Sequence, residues 1–173
     1  MGEINLQASG LAEDILGQGN GGREGELHLV TFNLGEEYGV LINQVQEIIR
    51  VGNMTVVPNS PAYMEGVINL RGKILPVLNL RKKLRISDEG ITKSSRIVVT
   101  EVNGKVLGLL VDSVSHVMKV KGEFVEEAPD EVLEVDTDYI TGVCKLPNRL
   151  VILLDLEKLL RKEKPAVMEE EEA

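Results

Sequence analysis

A chain of 173 residues with 43% apolar residues is long enough for one domain with a substantial core. Aromatics make up only 3% and tryptophan is absent, so that core must be built from Val, Leu and Ile. A pI near 4.8 and so few rings argue against a small barrel that binds nucleic acid, which needs a basic stripe and stacking aromatics.

Residues 1–25 mix polar residues with Gly10, Gly17, Gly19, Gly21, Gly22 and Gly25, which reads as a flexible tail with one amphipathic turn around Leu11, Ile15 and Leu16. Glu26 to Phe32 alternates with apolar residues on both faces, as in a well-covered strand that leaves His28 at its surface. Gly35-Glu36 turns into an apolar run over Tyr38–Ile42. Asn43 then caps an expected helical turn bearing Val45 and Ile48. Met54–Val57 makes a short strand, and Ser60-Pro61 has the form of a helix start, with Gly66 ending that helix.

From Gly66 to Leu84 the sequence GVINLRGKILPVLNLRKKL holds two apolar runs separated by Arg71-Gly72, a tight hairpin. Pro76 has no N–H to donate, so its position faces an edge or a bulge. Asn79 caps a turn that carries Leu80 and Leu84. Ser87–Ser94 is a polar link. Ile97–Val102 and Val106–Val111 flank Asn103-Gly104, the strongest hairpin signal in the chain. Asp112 is expected to cap a turn with Val114 and Val117. The acidic stretch around Pro129 is a loop with one or two short strands, and Asp136 or Thr137 caps the turn holding Tyr139. A last helix over 155–164 buries Leu156, Leu159 and Leu160, has bases at its end to suit the helix dipole, and stops at Pro165. The acidic tail over 165–173 is expected to be disordered.

The second half echoes the first. At an offset of 76, GVCKLPNRLVILLDLEKLL from Gly142 repeats Gly66, Val67, Leu70, Leu78, Leu80, Lys82 and Leu84, and Tyr139 repeats Tyr63. At an offset of 69, GLLVDSVSHVM from Gly108 echoes GVLINQVQEII from Gly39. Many short strands, Gly turns and one-turn helices in two copies imply an all-β fold with short helices, built from two similar five-stranded barrels packed together. The first barrel is expected over about 26–90 and the second over about 95–155, closed by the last helix.

Charge is unevenly placed. The net −9 sits in the ends: five acids against Arg23 in residues 1–26 and four Glu in 165–173 leave about −1 for 27–164. Gly66 to Ser87 holds six bases and no acid; Gly122 to Cys144 holds eight acids and no base. These are either two solvated faces or a dipolar surface that orients protein partners.

The residues for catalysis are missing. His28 and His116 have neither Cys nor His at metal-ligand spacing, and no glycine-rich loop with Lys and Ser/Thr cradles a phosphate. Asp112 and Asp155 read as helix caps rather than paired catalytic carboxylates. The single Cys144 matches Ile68 of the other half, so it packs as a small hydrophobe and suits a reducing compartment. No apolar run approaches 18 residues and no secretory signal opens the chain, so a cytoplasmic protein without membrane insertion is expected, with neither metal nor cofactor.

The motif Asn69-Leu70-Arg71-Gly72, with Val45-Gln46-Glu47-Ile48 before it and LVDSVSHV after it, resembles the CheW-type chemotaxis coupling proteins over about Glu26 to Lys162. The resemblance implies two five-stranded barrels and no catalysis. It implies a scaffold joining the histidine kinase CheA, through its regulatory domain, to the cytoplasmic tips of methyl-accepting chemoreceptors. Because that regulatory domain shares the fold, a detached kinase regulatory domain is the alternative, with a small barrel enzyme or nucleic-acid barrel further behind. Partner-binding residues are then expected at Val45, Glu47, Ile48, Ile49, Gly66, Asn69, Arg71 and Gly72, with Arg71 projecting from its hairpin tip. Pro147-Asn148 replaces Arg71-Gly72 in the second copy, which suggests that both turns are type I or II.

Overall fold

Apolar residues on two faces make strands of most of the described residues in the computed structural model, which covers residues 25–127 and 137–160. In chain order these are β1 (Glu26–Leu34), β2 (Glu36–Leu41), β3 (Val45–Arg50), β4 (Met64–Leu70), β5 (Lys73–Asn79), β6 (Arg96–Val102), β7 (Lys105–Val111), β8 (Ser113–Lys121), β9 (Val125–Glu126), β10 (Ile140–Leu146) and β11 (Arg149–Leu154). They form a six-stranded sheet, β8-β1-β2-β11-β10-β9, and a five-stranded sheet, β3-β6-β7-β5-β4. The all-β class with short helices therefore holds.

The two sheets are equivalent, but not along the boundary expected from the sequence. Each half lends its leading hairpin to the other: β1 and β2 join the C-terminal strands, and β6 and β7 join β3, β4 and β5. A first barrel over 26–90 and a second over 95–155 therefore do not coincide with the sheets. The exchange is seen in the two parallel pairings, where Val77 lies opposite Gly108 and Leu153 opposite Gly39. These are the same positions of the repeat, so the sequence alone does not tell which copy a strand joins. Close approach favours glycine at both positions: a Cβ on Gly108 would clash with the Ile97 side chain at 2.7 Å, and one on Gly39 would lie in tight contact with Val151 at 3.2 Å.

Each sheet encloses its own apolar cluster: Leu29, Val120, Cys144, Val151 and Leu153 in one, Leu75, Val77, Ile97, Val99 and Leu110 in the other. A third and larger cluster draws on both, with Phe32, Tyr38, Leu78, Leu80, Leu109, Leu156 and Leu159 each at most 1% exposed. Burying these apolar side chains at roughly 25 cal/mol per Å2 is what welds the barrels into one body. The helical turns after β5 and β11 seal this junction. Asn79 Oδ1 accepts from Lys82 N at 3.2 Å and Asp155 Oδ1 from Lys158 N at 3.1 Å, as the capping reading required. The last helix is described over 156–160 and buries Leu156, Leu159 and Leu160. Residues 161–164, expected to continue that helix, the expected tails over 165–173 and 1–24, and the expected loop around Pro129 lie outside the described residues.

Several local expectations change. Val45–Arg50 and Ser113–Lys121 are strands, not helical turns. The cause is a β-bulge: the register skips Gln46 opposite β6 and Ser115 opposite β1. A bulge shifts the inward and outward alternation by one residue, so Val45 and Ile48 face the same way at a spacing that looks helical. Ser60-Pro61 starts no helix; Met64 N donates to Pro61 O at 2.9 Å in a turn. The Met54–Val57 strand shrinks to one bridge, Thr55 to Val67. Val67 gives both of its backbone bonds to Thr55, so its partner Pro76 loses no bond to β4 by lacking an N–H. His28 is buried, at 7% exposure, rather than on the surface.

Candidate functional site

The β4–β5 hairpin turns through Arg71 at φ +55° and Gly72 at φ +83°, and β6–β7 through Asn103 at +53° and Gly104 at +82°. Both are type I′ geometry, the turn that matches strand twist. Neither Pro147 nor Asn148 takes a positive φ, so the two repeat hairpins differ in turn type, against the expectation that they share one. Proline cannot reach that region, and the second copy uses a different turn. Asn69 Oδ1 accepts from Gly72 N at 2.8 Å and braces the first turn from below.

Arg71 does not simply project into solvent. Its guanidinium reaches Glu47 on β3, with Nη1 donating to Oε2 at 2.5 Å and Nη2 to Oε1 at 2.7 Å. β3 and β4 are the two ends of the five-stranded order, so this bidentate pair spans the closure of the barrel. The Arg71 side chain stays 70% exposed and that of Glu47 22%. The hydrogen bond from Arg71 outweighs burial and holds the Glu47 carboxyl below the usual carboxylate range. Beside it, Gln46 Nε2 donates to Glu101 Oε1 at 2.5 Å.

The other barrel has a different ion pair, within its sheet rather than across its ends. His116 stands where Glu47 stands in the first copy, and its Nδ1 lies 3.2 Å from Arg149 Nη2. Arg149 also donates to Glu37 at 2.6 and 3.0 Å. Burial opposes ionisation of Glu37, but hydrogen bonds from Arg149 and Thr31 prevail and lower its pKa.

Of the residues expected to bind partners, Glu47, Asn69, Arg71 and Gly72 come together on one surface. Val45 and Ile48 do not belong to it: each is 5% exposed, inside the cluster shared by both sheets. Ile49 is half-buried against the interior of the five-stranded barrel. Gly66 is buried, and a Cβ there would lie 2.7 Å from Thr55 O; its repeat partner Gly142 meets Glu126 O at 2.8 Å. Both glycines admit a crossing backbone. The sequence reading missed Ile74, which is 68% exposed and pairs across the hairpin with Asn69, and its repeat partner Leu150, 44% exposed. Both lie in apolar runs that read as wholly inward.

The Cys144 thiol is fully enclosed, and burial pushes its pKa up. Burial likewise pushes the Tyr38 hydroxyl up to about 12. Among the described residues no three His, Cys, Asp or Glu side chains gather as metal ligands, and no helix is long and apolar enough to cross a membrane.

The CheW-like domain family model matches residues 28–164. A chemotaxis protein CheW of Klebsiella aerogenes is 37% identical over 80% of this chain and 84% of its own. One of Bacillus subtilis is 36% identical over 82% and 90% respectively. The crystal structure of the scaffolding protein TtCheW from Thermoanaerobacter tengcongensis superposes with a TM-score of 0.70 at 36% identity, covering 74% of this chain and 88% of that one. With this paired-sheet fold, the matching family model and these relatives, the chain belongs to the CheW family of chemotaxis adaptor proteins.

Proposed function

We propose that this protein couples chemoreceptors to the histidine kinase CheA, binding the regulatory domain of the kinase and the cytoplasmic tips of the receptors, without catalysing a reaction. It works in the cytoplasm, is brought to receptor arrays by its partners, and takes no nucleic acid. The observation that carries this reading is the Glu47–Arg71 face. A guanidinium already held by a carboxylate is oriented before a partner arrives, so less side-chain entropy is lost on docking. Arg71 keeps most of its surface exposed while paired, and Asn69 and the exposed Ile74 lie beside it. A charged anchor next to an aliphatic contact suits a protein partner.

The test is titration of this chain with a purified receptor cytoplasmic fragment and with the CheA regulatory domain. Binding to both is expected. Binding to neither would overturn the coupling reading.

A further inference from the structure

In chain order the strands change sheet twice. The turn Ile42–Gln44 carries the chain from β2 to β3, and a second crossing lies between β7 and β8. That second crossing is a single residue, Asp112, since β7 ends at Val111 and β8 begins at Ser113. From there on the chain supplies β8, β9, β10 and β11 of the six-stranded sheet, but not β1 and β2. Those two are held through the β1–β8 ladder and the parallel register of β2 with β11. Nothing in that register requires both partners to belong to one copy. A second copy offers the same strands, which is the setting for an exchange of segments between two chains.

The closed and exchanged forms differ at the hinge. In an exchanged pair the strand ladders are regained from the other copy, whereas a straightened Asp112 loses its own contacts. Its N–H donates to Asn33 O at 3.1 Å, at the end of β1. Its carboxylate accepts from Arg81 Nε at 2.9 Å and from Arg81 Nη2 at 2.7 Å. Arg81 is only 7% exposed, and its Nη1 donates to Ser87 O. Opening the hinge therefore leaves a buried guanidinium without its carboxylate, which is the expensive way to break such a pair. The other copy of the repeat has different residues, with Asn43 in place of Asp112 (112 minus 69) and Glu157 in place of Arg81 (81 plus 76).

We propose that the Arg81–Asp112 pair is a hinge lock, which keeps residues 113 onward folded on their own chain and prevents exchange with a second copy. The lock is independent of the coupling reading. It stabilises the closed form selectively, because the ladders are common to both forms and this pair belongs to one. The repeat's apolar pattern leaves open which copy the strands join, and the buried pair decides it.

The test uses the full chain carrying Arg81→Met/Asp112→Leu, which keeps apolar bulk and leaves neither charge unpaired. Wild type and variant are unfolded in urea, refolded at high protein concentration, and sized by gel filtration with light scattering. Isotope-labelled and unlabelled chains are mixed either before unfolding or after refolding. Exchanged dimers persist on dilution and form hybrids only when the two samples were unfolded together. The variant is expected to give at least about tenfold more exchanged dimer than wild type. Asp112→Asn, which removes the charge and keeps the shape of the hinge, is expected to raise the dimer fraction as well. The proposal is overturned if both variants fold and show no more exchanged dimer than wild type. A dimer whose subunits mix between native samples overturns it too, since that is association through a surface. If neither variant folds, the pair holds the core rather than the hinge, and the lock is again overturned.

Discussion

Arg71 and Glu47 lie 24 residues apart in the chain and at opposite ends of one sheet, yet their side chains meet in two hydrogen bonds of 2.5 and 2.7 Å. The pair closes a barrel and shows a guanidinium to solvent at the same time. These two roles are separable by experiment.

Charge reversal separates them. An ion pair this exposed on one side contributes at most about 1 kcal/mol. Glu47→Arg or Arg71→Glu alone is expected to lower the thermal midpoint slightly, and the double swap to restore most of it. The swapped protein nevertheless presents the wrong charge outward. It is expected to bind the receptor fragment or the kinase domain more weakly than wild type, by roughly 2 kcal/mol if the contact is desolvated. Wild-type affinity for both in the double swap would make the pair structural only.

The pair also has a pH signature. Because the Glu47 carboxyl is held below its usual value in the folded state, the stability that it adds is present above the unfolded carboxylate pKa. That stability is lost as pH falls through the lower folded value. Denaturation curves of wild type and Glu47→Gln should therefore differ at neutral pH and converge in acid. A difference that persists unchanged in acid would mean that the carboxylate charge is not what stabilises the closure.

Two glycines of the same hairpin should respond very differently. Gly66→Ala drives a methyl against the Thr55 carbonyl, backbone that cannot rotate away, and is expected to cost about 1–3 kcal/mol. Gly142→Ala, against Glu126 O, should behave alike. Gly72 has open space around its Cβ direction, so Gly72→Ala is expected to cost only the left-handed φ, about 1 kcal/mol. Equal losses at Gly66 and Gly72 in urea melts would contradict the close-approach account.

Val45 marks the limit of the binding face. It is buried in the cluster shared by both sheets, so Val45→Asp is expected to abolish cooperative unfolding rather than affect binding alone. Ile48→Ala is expected to cost about 2–5 kcal/mol. A well-folded Val45→Asp protein with lost receptor binding would return the residue to the interface.

Local chemistry made much of this molecule legible from its sequence. Asn103-Gly104 could only be a tight hairpin, and Asn79 and Asp155 announced their helical turns through capping. The Gly66 and Gly142 copies announced the repeat. Long-range pairing was not legible. Equivalent strands of a repeat carry the same apolar pattern, so the exchange of β1-β2 with β6-β7 left no mark in the sequence. The bulges at Gln46 and Ser115 shifted the alternation and gave Val45 and Ile48 a helical spacing on a strand. Of the eight residues that the motifs pointed to, Glu47, Asn69, Arg71 and Gly72 share one surface, whereas Val45, Ile48 and Gly66 are buried. The motifs could not reveal that Arg71 folds back onto Glu47, because that contact exists only once the barrel has closed.

The most direct test of coupling is a three-component sedimentation. Receptor cytoplasmic fragments are assembled on vesicles and spun down with the CheA regulatory domain, with and without this protein. The kinase domain is expected to pellet with the receptors only when the protein is added, and to be lost from the pellet with the Arg71/Glu47 charge swap. A kinase domain that pellets equally without the protein, or a protein that stays in the supernatant, would contradict the coupling role.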